Sequence, residues 1–222
     1  MKNKEKQVFN TGALCIAAFL LWTLLTLRVD VEPVGPNESD VGFATLNCWF
    51  HQLTGVHMGL YVITDWLGLV PIAVCMAFGI MGARQWVKRR SLAKVDFDLI
   101  LLGVYYVIVI AGYLLFEMIP INYRPVLING MMEVSYPSST TLLVLSVMPT
   151  LTFQLRRRTK NSIAQKLFCA MSNLFAVFMV VGRLISGVHW LTDIIGAVFL
   201  SAGIFYLYKA VVLRNDNKNR RQ

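Results

Sequence analysis

Two arginines, a histidine and an aspartate are the residues whose types and spacing most directly suggest chemistry in this sequence. Arg183, His189 and Asp193 stand in one short segment, and Arg124 precedes a proline earlier in the chain. Arginine presents a planar fork of N–H donors that matches phosphate oxygens. His189 and Asp193 have the spacing of one helical face, where the carboxylate can accept an imidazole N–H and fix its tautomer. The other ring nitrogen is then free to attack phosphorus.

A further candidate for phosphate binding is the segment Pro137-Ser138-Ser139. Proline followed by two serines is typical of a helix start, which offers free backbone N–H groups and the positive end of the helix dipole to an anion. Taken singly, each of these features has an ordinary explanation: a helix start, a side chain that anchors at a membrane interface, or a structural His–Asp pair. Only their meeting at one place favours a phosphate site.

The elements that must position these residues are transmembrane helices. The chain has 222 residues, of which 56% are hydrophobic and 15% are charged, and a soluble domain this apolar could not cover its core with polar surface. Continuous apolar runs long enough to span a bilayer lie near 11–27, 59–83, 98–118, 138–155, 163–182 and 190–212. Such runs predict helices rather than strands. We therefore predict an all-α integral membrane protein, a single domain of six transmembrane helices over residues 1–222.

The basic residues predict the orientation of these helices. If the six spans alternate, 18 of the 21 Lys and Arg fall on one side, including Arg220 and Arg221 in the C-terminal tail. The positive-inside rule makes that side the cytoplasm, so both termini are expected there. The net charge of +9 then reflects topology, and no nucleic-acid partner is expected. Arg124 and Arg183 fall at the outer ends of spans three and five, which predicts a site at the extracytoplasmic face.

Neither a metal site nor a cofactor is expected. The four cysteines share no CxxC spacing, and we interpret them as small apolar fillers. His51 and His57 lack partners with metal-ligand spacing and fall in a stretch, 41–58, that is typical of an interfacial amphipathic segment. The first apolar run lacks a small-residue cleavage site behind it, so we expect a retained span rather than a signal peptide.

The segment around His189 resembles the third motif of the type-2 phosphatidic acid phosphatase superfamily, the six-helix lipid phosphate phosphatases related to vanadium haloperoxidases. That motif reads Ser-Arg-x5-His-x3-Asp. Here Arg183, His189 and Asp193 have the same spacing, and Gly182 stands in place of the serine.

The family's other two motifs, Lys-x6-Arg-Pro and Pro-Ser-Gly-His, are matched in part, by Arg124-Pro125 and Pro137-Ser138-Ser139. The resemblance covers most of the chain, because span count, orientation and motif placement agree. It implies that His189 is a nucleophile forming a phosphohistidine and that Asp193 orients it. It also implies that the phosphate oxygens are held by Arg124, Arg183, Ser138 and the backbone N–H near Ser139.

Two positions depart from the family pattern. Glu117 stands where the motif lysine is expected, and Thr140 stands where the general-acid histidine is expected. A threonine hydroxyl is too weak an acid to protonate a leaving group near neutral pH, and losing a general acid typically costs about 10²–10⁴-fold in rate. Glu117 also lies close in sequence to Arg124, which predicts a local ion pair between them.

We expect a membrane phosphatase or phosphotransferase that acts on a lipid-linked phosphate. A site without a general acid should prefer a diphosphate, such as a polyprenyl diphosphate, because a phosphate group leaves with little or no help from a proton. The alternative is a catalytically impaired protein of the same fold that binds lipid phosphate or serves as a scaffold. A channel or transporter is less favoured, because the spans hold few charges. The short chain suggests a bacterial cell membrane as its location.

Overall fold

The computed structural model describes residues 2–160 and 162–219, and over these residues the regular secondary structure is helical, with a few isolated β-bridges in the connecting segments. This confirms the predicted all-α class. The helices are α1 (Lys2–Thr26), α2 (Ala44–Thr54), α3 (Met58–Leu67), α4 (Leu69–Arg89), α5 (Phe97–Met118), α6 (Ser139–Arg158), α7 (Ile163–Ile185) and α8 (Leu191–Asn219). Arg220 and Arg221, which were assigned to the predicted basic tail, lie outside the described residues.

Five segments are long and apolar enough to cross a membrane. They are 3–26, 58–89, 97–118, 163–185 and 191–219, and the second combines α3 and α4, which are separated at Gly68. Large apolar side chains such as Leu14, Val107 and Leu174 face outward from these helices, as lipid-facing side chains do. The chain is therefore a multi-pass membrane protein.

α6 is the one predicted span that is absent from these five segments. It coincides with the predicted run 138–155, but many of its side chains are polar, and Thr141, Ser146, Thr150 and Gln154 are buried. α6 packs against α4, α5, α7 and α8, so protein rather than lipid covers much of its surface. A helix in that position does not need a continuous apolar surface, which explains its low hydropathy.

α8 packs along α1 and brings the N-terminal and C-terminal helices together. Two glycines make this approach close. A Cβ on Gly12 would lie 2.9 Å from the backbone nitrogen of Leu207, and a Cβ on Gly203 would lie 2.6 Å from Cδ1 of Ile16. Small residues of this kind allow membrane helices to approach until their backbones nearly touch.

One end of the bundle holds a network of ion pairs. Arg158 at the end of α6 lies 3.0 Å from Asp96 and 2.8 Å from Asp98, which stand at the start of α5. Arg157 lies 2.5 Å from Asp216 of α8. Burial alone would raise the pKa of Asp96, but hydrogen bonds from Gln85, Arg89 and Arg158 lower that pKa to about 2. This network ties together the helix ends that were predicted to face the cytoplasm.

The segment that joins α5 to α6 covers the opposite end. It doubles back on itself, with bridges that pair Tyr123 with Val134 and Ile128 with Met131. Tyr136 anchors the end of this segment that precedes α6. The Tyr136 hydroxyl lies 2.7 Å from Thr23 Oγ1 of α1, and the Tyr136 ring packs against Gly196 of α8, which has no side chain.

Candidate active site

The predicted site residues meet under this covering segment. Arg124 lies on the segment, Ser138 stands just before α6, Arg183 lies in the last turn of α7, and His189 and Asp193 flank the start of α8. All five are buried. The backbone N–H of Ser138 donates to the carbonyl of Asp193 at 3.2 Å, which joins the α6 and α8 parts of the site.

His189 is held by a serine that was not predicted. His189 lies in the turn before α8 and does not share a helical face with Asp193, and its Nδ1 is 3.7 Å from Asp193 Oδ2. Ser135 Oγ lies between them: it donates to Asp193 Oδ2 and is 2.9 Å from His189 Nδ1. A hydroxyl has one proton, so a serine that donates to the carboxylate must accept from Nδ1–H. Nε2 is then the unprotonated nitrogen, and it has no hydrogen-bond partner among the described residues.

The Asp193 carboxylate is fixed by further donors. The backbone N–H of Trp190 donates to Oδ2 at 2.9 Å, and Asn122 Nδ2 donates to Oδ1 at 3.2 Å. Together with Ser135, these donors give the fully buried carboxylate three hydrogen bonds. Asp193 also lies in the first turn of α8, where the helix dipole favours a negative charge.

His189 is neutral at physiological pH. Burial lowers the pKa of His189 to about 4, and the nearby charges of Arg124 and Arg183 act in the same direction against the opposing effect of Asp193. An imidazole with Nδ1–H held and Nε2 bare is the form that can act as a nucleophile without first losing a proton.

The two arginines lie over one aromatic ring. The guanidinium carbon of Arg183 is 4.8 Å from the centroid of the Tyr61 ring, and that of Arg124 is 5.7 Å away, so both are held by cation–π contacts. Arg124 Nη1 and Arg183 Nε are buried without a hydrogen-bond partner in the part of the chain that the structure describes. Buried N–H groups of this kind are costly unless an acceptor such as a phosphate oxygen binds them.

Each arginine is also paired with a carboxylate. Arg183 Nη2 donates to Asp65 Oδ1 at 3.0 Å and also to Thr140 Oγ1, and its Nη1 donates to the carbonyl of Tyr61 at 3.4 Å. Arg124 Nε lies 3.0 Å from Glu133 Oε2. The site therefore contains two arginines, each with one carboxylate partner and at least one free N–H.

The predicted ion pair between Glu117 and Arg124 is wrong. Glu117 is exposed near the end of α5, whereas Arg124 pairs with Glu133. The physical reason is the reversal of the covering segment, in which the Arg124 N–H donates to the Glu133 carbonyl at 3.0 Å. That backbone pairing places the two side chains together although they are farther apart in sequence than Glu117 and Arg124.

Three of the remaining predicted positions have defined places. Ser138 Oγ donates to Thr141 Oγ1 at 3.0 Å, so its hydroxyl is used at the start of α6. Ser139 and Thr140 line a cavity of about 270 Å³ between α3, α4, α5 and α6, together with Asp65 and Tyr113. The rest of that cavity is apolar, and its wall is formed by Gly68, Leu69, Ile72, Val109, Ile110, Leu142 and Leu143.

Sequence reasoning missed Ser135, Glu133, Tyr61 and Asp65. Of these four, only Asp65 could have been found from the sequence, because a carboxylate within an apolar transmembrane run indicates a functional position. Among the described residues, no group of three or more His, Cys, Asp or Glu side chains could hold a metal ion.

The chain is similar to known proteins over most of its length. The family model of the PAP2 superfamily matches residues 11–217. A crystal structure of a transmembrane PAP2-type phosphatidylglycerolphosphate phosphatase from Bacillus subtilis is similar in fold, with a TM-score of 0.58 and 18% sequence identity. The match covers 92% of this chain and 96% of that chain. No curated protein sequence matches.

Proposed function

The chain belongs to the PAP2 superfamily, and we propose that it is a membrane phosphatase that cleaves a lipid-linked phosphate, with a preference for a diphosphate. The observation that carries the proposal is His189, a neutral imidazole whose bare Nε2 is buried in the same site as two arginines with free N–H groups. A nucleophile beside paired phosphate-binding donors is the arrangement that phosphoryl transfer needs.

In the proposed reaction, the terminal phosphate binds to Arg124 and Arg183 and His189 Nε2 attacks its phosphorus. The bond to the leaving oxygen breaks and a phosphohistidine forms, which water then hydrolyses. The imidazole gains positive charge in the attack. Asp193 stabilises that charge through Ser135, which accepts from Nδ1–H and donates to the carboxylate. The arginines neutralise the charge on the transferred group.

The preference for a diphosphate follows from Thr140. Its hydroxyl accepts from Arg183 and cannot protonate an alkoxide leaving group near neutral pH. A lipid monophosphate leaving from a diphosphate needs little or no proton, since the second pKa of a phosphate is near 6.

We also propose six spans, with both termini in the cytoplasm and the site at the extracytoplasmic face of a bacterial cell membrane. Two observations support this topology. The ion-pair network of α4, α5, α6 and α8 lies at the end opposite the site and among the cations expected inside. α6 runs alongside the other spans and makes the sixth.

A second candidate function is binding of lipid phosphate without turnover. The observation that favours it is that Arg124 and Arg183 each already pair with a carboxylate, in a site that lacks both the motif lysine and the motif histidine. Such a protein would bind a lipid phosphate and would form no phosphoprotein.

One experiment separates these functions. Detergent-purified protein is given farnesyl diphosphate and, separately, a phosphatidic acid, and phosphate release is measured for wild type, His189→Ala and Thr140→His. We expect faster release from the diphosphate, no release by His189→Ala, and a larger gain on the monoester than on the diphosphate for Thr140→His. Binding of either lipid without release supports the second function, and unchanged turnover in His189→Ala contradicts the mechanism.

A further inference from the structure

Asp65 lies close to Thr140, the position at which the site lacks the titratable histidine of the family motif. Its Oδ1 lies 3.0 Å from Arg183 Nη2, and the same nitrogen also donates to Thr140. A single guanidinium nitrogen therefore joins the Asp65 carboxylate to the position that departs from the family motif. Asp65 comes from α3, whereas Thr140 begins α6, so packing of distant elements puts them together.

The placement of Asp65 differs from that of a purely structural ion-pair partner. Its side chain is 58% exposed, while that of Arg183 is 1% exposed. Asp65 lines the cavity that also contains Ser139 and Thr140, and its second carboxylate oxygen makes no hydrogen bond among the described residues. A water molecule or a hydroxyl compound can therefore reach that oxygen from the cavity side while the other oxygen stays on the arginine.

We infer that Asp65 is the general base for the second half of the reaction, in which the phosphohistidine is hydrolysed. The inference rests on the proposed function, because it requires that intermediate. A phosphate that binds the free Nε of Arg183 shares this guanidinium with Asp65, which lies on Nη2, so the carboxylate is placed near the transferred phosphoryl group. Thr140 cannot take a proton from water near neutral pH, and an ionised carboxylate can.

The step balances without any other reactant. The oxygen of a water molecule attacks phosphorus as the Asp65 carboxylate takes one of its protons. The bond between phosphorus and His189 Nε2 breaks, and its electron pair returns to Nε2 while Nδ1 keeps its proton toward Ser135. Inorganic phosphate leaves, and Asp65 gives its proton to solvent through the cavity.

The two halves of the reaction thus use different groups. Departure of a phosphate leaving group needs no acid, whereas attack by water needs a base. Asp65 accounts for how a site without the motif histidine completes a cycle. The missing general acid at Thr140 restricts the first half to leaving groups that depart unprotonated.

The test measures both halves in one experiment. The full chain in detergent is mixed with farnesyl diphosphate radiolabelled in its terminal phosphate, and protein-bound label and released phosphate are followed in time. Asp65→Asn keeps the size of the side chain and an oxygen for Arg183 but removes the base. It should lower steady-state release by about 10²–10⁴-fold while labelled protein accumulates toward one phosphate per chain, and Asp65→Glu should recover part of the release.

Glu133→Gln is the matched control, because it removes a carboxylate from the other arginine. It should cause no accumulation of labelled protein. If Asp65→Asn is slow without accumulating label, or if Glu133→Gln accumulates label equally, Asp65 only positions its arginine and the inference is overturned. Unchanged release in Asp65→Asn overturns it as well. A wild-type protein that neither releases phosphate nor becomes labelled overturns the proposed function and this inference together.

Discussion

Ser135→Ala tests whether a single hydroxyl connects the nucleophile to its carboxylate. Ser135 is buried, donates to Asp193 Oδ2 and accepts from His189 Nδ1 at 2.9 Å. Removing Oγ leaves the imidazole N–H and the carboxylate facing each other across 3.7 Å, which is too long for a hydrogen bond.

The magnitude follows from what each partner loses. Asp193 keeps the donors Trp190 and Asn122, so its charge stays satisfied, but Nδ1–H loses its acceptor. An unsatisfied buried donor costs about 1–3 kcal/mol, and each 1.36 kcal/mol is about tenfold in rate. Because the imidazole becomes positive only during the attack, we expect the loss in kcat, at about 5–150-fold, with little change in KM.

The assay is steady-state hydrolysis of farnesyl diphosphate by purified protein, with Ser135→Thr and Ser201→Ala beside Ser135→Ala. Ser135→Thr keeps the hydroxyl and should recover activity. Ser201→Ala removes a buried hydroxyl that donates to the carbonyl of Val198, remote from the imidazole, and should leave kcat unchanged. Full activity in Ser135→Ala would show that His189 and Asp193 pair directly and that catalysis does not need Ser135 between them. A rise in KM with kcat unchanged would show a role in binding instead.

Two further predictions concern the charge of the site. Glu133→Gln should strengthen vanadate binding by up to about fivefold, the equivalent of a partly exposed ion pair worth up to about 1 kcal/mol. Glu117→Lys should have a smaller effect, because Arg124 pairs with Glu133 and not with Glu117. Equilibrium titration of both variants with vanadate checks this, and a larger gain from Glu117→Lys contradicts the pairing. The acidic limb of kcat/KM, corrected for titration of the substrate phosphate, should reflect a His189 pKa near 4 rather than 6.5. Because the imidazole is the active form, activity is present above that pKa and is lost as the pH falls through it; a limb near 6.5 would show that His189 is solvated.

The sequence predicted the helices well because membrane spans are marked by composition. The apolar runs near 98–118 and 163–182 correspond to α5 and α7, and the interfacial stretch at 41–58 contains α2. α6 also lies where a span was predicted, although its polar residues keep it out of the apolar segments. It was predicted as an apolar run like the others, although buried polar side chains such as Ser146 and Gln154 interrupt it.

The site was predictable only where spacing within one segment determined it. Arg183, His189 and Asp193 come from a single turn and the helix ends around it, so their closeness follows from the chain itself. Ser135 and Glu133 depend on how the segment between α5 and α6 reverses, and that reversal is set by contacts with α1 and α8 that leave no periodic pattern in the sequence. The Glu117 error has this origin, because nearness in sequence was taken for nearness in space.

The three carboxylates of the site differ in a way that bears on turnover. Asp193 is fully buried and accepts from three donors, so it is fixed throughout a cycle. The side chains of Asp65 and Glu133 are 58% and 38% exposed, and each forms an ion pair with one arginine. Two buried guanidinium groups without any counter-charge would be costly in the empty site, and these carboxylates offset that cost. A phosphate dianion can bind the N–H groups of Arg124 and Arg183 that have no partner among the described residues, without breaking either ion pair. Asp65 therefore stays on Arg183 through one oxygen while a phosphate is bound, and its other oxygen remains beside the group that it is proposed to serve.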